Sequence, residues 1–454
     1  MRGIFRGHRW AAVAAGAALT MALAGCGNSG GVGGQSNAQS NASQQADGPV
    51  TLQYWTWFPA QDTLNKVIAA YEAANPGVKI SLHEYSNTDY QKQLPLALNG
   101  GQSVDVAGVQ ISAMTNSVSA DLRPVSEWQS NLPSDWRSQL VSKPLQQTQA
   151  TAKDKTLYDV PMGSIGSAVM YYNAAMLAKL GMTPPATATE LAADAAKIKS
   201  AMPGVTPVVF AGDPYWQDEM LFTIIGQKHP GLSDQIQYKD GKWNDPAVVK
   251  GLADYKSLFT SGAVDTSVLT LKAPRPTDLF NAGQAAFYVD GSFQDSLLSS
   301  AYRTANKIGL TNVGATTFPV VEPGGKPAVR AYAEGGLAIP KSSQHPAAAA
   351  KFISYMTVGN GVGLWAPDLV LAPAKKGFQP GADVLTSPAA VSGYKAVQTA
   401  LDNAGSDRNG QQDFSNQVEG NDILDVLNGS KTPQQAADDM QTQWSSGRYP
   451  HGSQ

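Results

Sequence analysis

Apolar and polar positions in this chain repeat with two periods, and the points where one gives way to the other mark out the elements. Residues 52–57 form an aromatic-rich run that predicts a strand. Leu64, Val67, Ile68 and Tyr71 then fall at helical spacing on one face, and Asn75-Pro76-Gly77 stops that helix. Val78, Ile80 and Leu82 alternate as a second strand. Residues 104–109 predict a third, after the turn Asn99-Gly100-Gly101. The order strand, helix, strand, helix, strand predicts a parallel sheet with helices on its faces.

Later segments follow the same logic. Thr187 and Glu190 have the spacing of a capping box that opens a helix through Ile198. Ala349, Phe352, Ile353 and Met356 line one helical face whose first turn tolerates Pro346. Thr432-Pro433-Gln434-Gln435 combines an N-cap, a first-turn proline and a capping partner. The Pro- and Gly-rich residues 272–276 and 319–327 read as surface connections, and no internal repeat is apparent.

The N-terminus has a separate purpose. Arg2, Arg6 and Arg9 precede an apolar stretch, residues 11–23, that is too short to span a bilayer comfortably. Leu23-Ala24-Gly25-Cys26 follows and resembles the lipobox of bacterial lipoproteins, in which the thiol becomes a diacylglyceryl thioether and the leader is removed. The resemblance implies that Cys26 is the lipidation site, that residues 1–25 are a signal peptide, and that the protein sits on the extracytoplasmic face of the cell membrane. A plain secretory signal that happens to contain a cysteine is the alternative reading. Residues 27–48, rich in Gly, Ser, Asn, Gln and Ala, are expected to be a flexible tether. They contain Gly27-Asn28-Ser29-Gly30-Gly31, but a tether lacks the strand-to-helix turn that a nucleophilic serine needs.

Composition bounds the rest. Cleavage before Cys26 leaves 429 of the 454 residues, enough for two domains. Loss of the three leader arginines takes the formal charge from −3 to −6, which argues against nucleic acid as a partner. No cysteine remains for disulfides, so packing alone must hold the fold.

Several motifs in common order identify the chain as resembling the extracellular solute-binding proteins of ATP-driven importers, within the carbohydrate-binding family typified by maltose-binding protein. They are Leu52-Gln53-Tyr54-Trp55-Thr56-Trp57, Tyr158-Asp159-Val160-Pro161, Val169-Met170-Tyr171-Tyr172-Asn173, Phe280-Asn281-Ala282-Gly283-Gln284-Ala285-Ala286-Phe287, Glu334-Gly335-Gly336-Leu337-Ala338-Ile339-Pro340 and Asn428-Gly429-Ser430-Lys431-Thr432-Pro433. The resemblance implies an α/β fold of two lobes with mixed, mostly parallel sheets and a ligand cleft between them. Lobe one would hold residues 49–162 with 332–366, and lobe two 163–331 with 367–454. It also implies a sugar ligand, a membrane permease as partner, no cofactor and a monomeric state.

Sugar recognition needs flat aromatic faces and planar polar side chains that bond adjacent hydroxyls. Trp57 and Phe58 end the first strand, and Gln110 and Ser112 end the third. Asp213, Tyr215 and Trp216 occupy a turn before an apolar helix, where Asp213 has the alternative of being only an N-cap. Asp290 and Phe293 frame a glycine turn at which the family often carries Trp in place of Phe. Glu334 and Gly335 bring backbone and a carboxylate toward the cleft in relatives, and Trp365, Phe414 and Asn416 complete the candidates. Core packing is the competing role for each aromatic, and loop solvation for the polar residues.

An anchored glycoside hydrolase is the rival from another class, because Asp213, Asp290 and Glu334 include the carboxylates it would require. A surface protein that binds polysaccharide without transport is a third reading. No zinc-protease motif, cysteine nucleophile or Walker motif is present, and His83, His229 and His345 lack metal-ligand spacing. Binding without catalysis is the expectation.

Overall fold

The strand-forming runs become two sheets in a computed structural model, which describes residues 49–408 and 412–449, the side chains of Ser112 and Gln412 excepted. The strands in chain order are β1 (Val50–Thr56), β2 (Val78–Glu84), β3 (Val106–Gln110), β4 (Asp159–Gly166) and β5 (Val169–Asn173). They continue with β6 (Thr206–Val209), β7 (Ala285–Asp290), β8 (Val313–Thr317), β9 (Ala331–Ala338) and β10 (Ala372–Pro373). The proposed leader, Cys26 and the tether lie outside the described residues.

The larger sheet has the order β10-β4-β9-β3-β1-β2 and the smaller β6-β7-β5-β8. β1 pairs in parallel with both β2 and β3, as the opening pattern predicts. In each sheet most strands point one way, yet a reversed strand lies inside each sheet, with the short edge strand β10 also reversed in the larger one. β9 therefore runs against both β3 and β4, and β5 against both β7 and β8. The reason is connectivity: β4 carries the chain out to the smaller sheet and β9 carries it back, so the two must run in opposite directions. The larger sheet extends along β4 to Gly166 and takes in Ala372–Pro373, a few residues past the borders at 162 and 366 that the sequence suggests.

Period-two alternation gives each sheet two covered faces. Tyr54 packs with Val106, Leu337 and Phe352 on one side of the larger sheet, while its neighbour Trp55 packs with Tyr90, Ala107 and Val109 on the other. In the smaller sheet Met170 joins Phe210, Phe222 and Phe287, and Tyr171 joins Tyr288, Leu297 and Val397. The helix Gln61–Ala74 buries Leu64, Val67, Ile68 and Tyr71, the predicted face, with Thr63 beside them. Both predicted capping boxes form, at Thr187 with Glu190 and at Thr432 with Gln435. The result is a two-lobed α/β fold, each lobe a sheet sandwiched by helices. Among the described residues no helix is long and apolar enough to cross a membrane.

Candidate ligand-binding site

A cavity of about 700 Å³ opens where β1, β3 and β9 of the larger sheet face helices and loops attached to the smaller one. Trp57 and Phe58, just past the end of β1, form one wall. The Trp57 ring lies over β3, where a Cβ on Gly108 would come within 3.1 Å of it, so a side chain there would press on the ring. Tyr90 supports Trp57 at 5.3 Å between centroids, and Trp365 meets Phe58 edge-on at 5.9 Å. Phe293 and Tyr215 enter from the smaller lobe.

Polar groups converge between these rings. Gln110 donates to Glu334 Oε1 at 2.8 Å, and its own Oε1 accepts from Asn87 at 3.1 Å and Gln91 at 2.7 Å. Tyr332 donates to the other oxygen of Glu334 through a short hydrogen bond. Tyr332 and Glu334 share a face because they stand two residues apart on β9. Burial pushes the Glu334 carboxyl upward, while Tyr332, Arg408 and Gln110 pull it partly back.

Arg408 lies deep in the opposite wall, buried, with its guanidinium 5.8 Å from the centre of the Phe293 ring and 5.7 Å from that of Tyr332. Its Nε faces Glu219 at 2.9 Å, and Glu219 also faces Arg330 at 3.8 Å. Burial works against the charge on Arg408, but Glu219 and its neighbours outweigh it and the guanidinium stays protonated. Burial also raises the Glu219 carboxyl despite Arg408 and Arg330. With a permanently charged guanidinium at 2.9 Å, the ion-paired form is the one the geometry supports. Asn416 reaches the cavity from a π-helical turn, Ser415–Glu419, an irregularity that occurs often at functional sites.

Of the residues read from sequence, Trp57, Phe58, Gln110, Tyr215, Phe293, Glu334 and Asn416 line this one cavity. Gly335 lies on β9 directly across from Gln110. Ser112 is the second residue of the helix Ile111–Val118, and its side chain is outside the described set. The others are placed elsewhere. Asp213 is the N-cap of helix Pro214–Gly226 and accepts from the Ala273 N–H at 3.0 Å. Trp216, 5% exposed, packs in the core, because one residue along a helix turns the side chain about 100° away from Tyr215. Phe414 is enclosed by Trp243 and Trp444, each at 4.9 Å. Trp365 is 1% exposed and donates to the Met356 carbonyl at 2.9 Å, so it backs Phe58 instead of facing the cavity. Asp290 accepts from the Gly291 N–H at 2.8 Å and from Gln294 at 3.0 Å, which fixes the turn that presents Phe293.

Sequence reasoning missed Asn87, Gln91, Tyr332 and Arg408. Alternation along β9 was a usable signal for Tyr332, given Glu334. Arg408 follows no periodic segment, and nothing local distinguishes it from a solvated loop cation.

The fold and cavity define a two-lobed binding protein with its ligand space between the lobes. Residues 57–358 match the family described as bacterial extracellular solute-binding protein, and the chain belongs to that family. Solved structures share the fold. One is a cyclic alpha-maltosyl-1,6-maltose binding protein from Arthrobacter globiformis, with TM-score 0.68 and 17% identity over 88% of this chain and 99% of that one. A sugar transporter from Rhizobium etli in an open conformation gives 0.65 and 21% over 87% and 99%. A chitin oligosaccharide binding protein gives 0.63 and 20% over 87% and 98%. No curated protein matches the chain.

Proposed function

We propose that this protein captures a sugar or oligosaccharide in the interlobe cavity and delivers it to the permease of an ATP-driven importer. One observation carries the reading: aromatic faces from both lobes (Trp57, Phe58, Tyr215 and Phe293) surround planar hydrogen-bonding groups (Gln110, Glu334, Asn87, Gln91 and Asn416) within one cavity of about 700 Å³. That volume suits a mono- to oligosaccharide, and the alternation of ring and amide matches a pyranose with its apolar C–H face and polar rim. Family membership and the ligands for which the similar structures are named, a cyclic maltosyl-maltose and a chitin oligosaccharide, support the same class. Residues 49–162 with 332–366 and 163–331 with 367–454 would act as the closing units, with β4 and β9 as the crossing strands. A lipid on Cys26 would hold the protein, as a monomer, at the outer face of the membrane.

Binding, not hydrolysis, is the proposed activity. Among the described lining residues Glu334 is the one carboxylate, whereas the usual glycosidase uses two flanking the scissile bond. Titration of the purified protein with saccharides, followed by mass spectrometry of the recovered ligand, tests the reading. Melting temperature should rise with ligand concentration and the sugar should return unchanged. Hydrolysis products would refute it. Palmitate labelling of wild type and Cys26→Ser tests the anchor, with label lost in the variant.

A further inference from the structure

Charge in the cavity wall is already matched within the protein. Arg330 pairs with Asp218 at 2.8 Å and Arg408 with Glu219 at 2.9 Å, so two guanidiniums meet two carboxylates beneath the ligand space. A third buried acid there, Glu419, stands beside Asp218 and is driven strongly toward its neutral form by burial and by that neighbour. Across the cavity, each Glu334 oxygen already accepts a hydrogen bond, from Gln110 and from Tyr332. The other titratable groups facing Arg408, Tyr215 and Tyr332, are both held protonated by burial.

On the Arg408 side, what remains open is hydrogen-bonding capacity without unspent charge. Arg408 is ion-paired with Glu219 on its Nε side, while its two Nη groups have no acceptor among the described residues and the side chain lines the cavity. Their N–H groups form a planar fork that fits two adjacent hydroxyl oxygens. Each Glu334 oxygen keeps one further lone pair for a hydroxyl donor.

We infer that the cavity selects neutral over acidic saccharides, and that Arg408, neutralised by Glu219, is the specificity-determining residue that reads a pair of adjacent hydroxyls and excludes acidic sugars. The inference rests on the capture reading above and narrows its substrate class. A uronate carboxylate would find only a guanidinium that is already paired, with Glu334 nearby. The desolvated charge then lacks a free countercharge, whereas a neutral hydroxyl pair leaves the balance intact.

The test uses calorimetric titration of the full chain with maltotriose, cellotriose, xylotriose and chitin trisaccharide, and with trigalacturonate. At least one neutral trisaccharide should bind, and trigalacturonate should bind about 100-fold more weakly or not at all. Trigalacturonate that binds as well as the best neutral trisaccharide overturns the inference and leaves the capture reading standing. Failure of every saccharide to bind removes the capture reading, and the inference with it. Glu219→Gln should leave the Arg408 charge unspent and shift the ratio of affinities toward trigalacturonate by about 10-fold, at the low end for a charged hydrogen bond. An unshifted ratio in folded Glu219→Gln overturns the charge argument. Where that variant does not fold, Arg408→Gln serves: it should lose about 10-fold or more for the neutral ligand, and Arg408→Lys should not restore it. Unchanged neutral affinity in Arg408→Gln also overturns the inference.

Discussion

Gln147 donates to Asp407 Oδ1 at 2.5 Å, across 260 positions of sequence, and so ties the helix Ser142–Thr151 to the residue just before Arg408. The same amide donates to the Ala331 carbonyl at 2.9 Å and accepts from the Ala333 N–H at 2.9 Å, both on β9. One side chain thus joins a helix of the larger lobe, a crossing strand and the segment that carries a cavity residue. Gln147→Ala removes all three bonds and should lower stability by about 1–3 kcal/mol. Gln147→Glu places a carboxylate against Asp407 and should cost more than the alanine does. Urea melts at neutral pH check both statements, and equal stability of the two variants would contradict the contact.

The bond between Gln110 and Glu334 predicts a binding effect with little change in fold. Glu334→Gln keeps the shape, removes the charge and leaves one acceptor where there were two. Ligand Kd should rise by about 10- to 100-fold, the range for loss of a charge-assisted hydrogen bond. Calorimetry measures this, and melting of the unliganded variant shows whether the fold is intact.

Aromatic residues separate by place. Trp57→Ala and Phe293→Ala should abolish the ligand-dependent melting shift while each free variant still unfolds cooperatively. Trp216→Ala should act the opposite way, costing about 3–5 kcal/mol of stability because its ring fills the core, with ligand affinity of the folded fraction kept. Retained ligand shifts in both Trp57→Ala and Phe293→Ala would place the ligand elsewhere.

Stability should also depend on pH through Asp159. Its side chain lies against Gly336, where a Cβ would come within 1.8 Å of Oδ1, and neither of its oxygens has a partner among the described residues. Burial pushes its carboxyl up to about 8. The folded state therefore holds this proton more tightly than the unfolded chain, whose carboxyl titrates near the ordinary value of about 3.9. The associated stability is complete below that ordinary value and is lost as pH rises through the folded one. Asp159→Asn should accordingly gain in melting temperature over wild type as pH goes from 5 to 9. A constant difference across that range would contradict the burial of an unpartnered acid.

The sequence made regular elements legible wherever one face had to be apolar. The helix with Leu64, Val67, Ile68 and Tyr71 and the parallel strands beside it follow directly from period, and the caps at Thr187 and Thr432 from spacing. Strand order within the sheets did not follow, because the inside position of β9 depends on a return crossing more than 150 residues after β4. In the cavity, strand-end residues such as Trp57 and Gln110 were readable since a parallel sheet presents its carboxyl ends to ligand. Neighbouring aromatics were not separable by eye: Tyr215 faces the cavity while Trp216 faces the core. Arg408 was invisible for a different reason. Its place depends on Glu219, Phe293 and Tyr332, which are distant in sequence and meet only in the fold.

The most direct test of the central claim is calorimetric titration of the wild-type protein with the neutral trisaccharides, paired with mass spectrometry of the ligand afterward. The account predicts saturable one-site binding of at least one of them, lost in Trp57→Ala, with the saccharide recovered intact. Cleaved saccharide, or no binding by any of them, would contradict it.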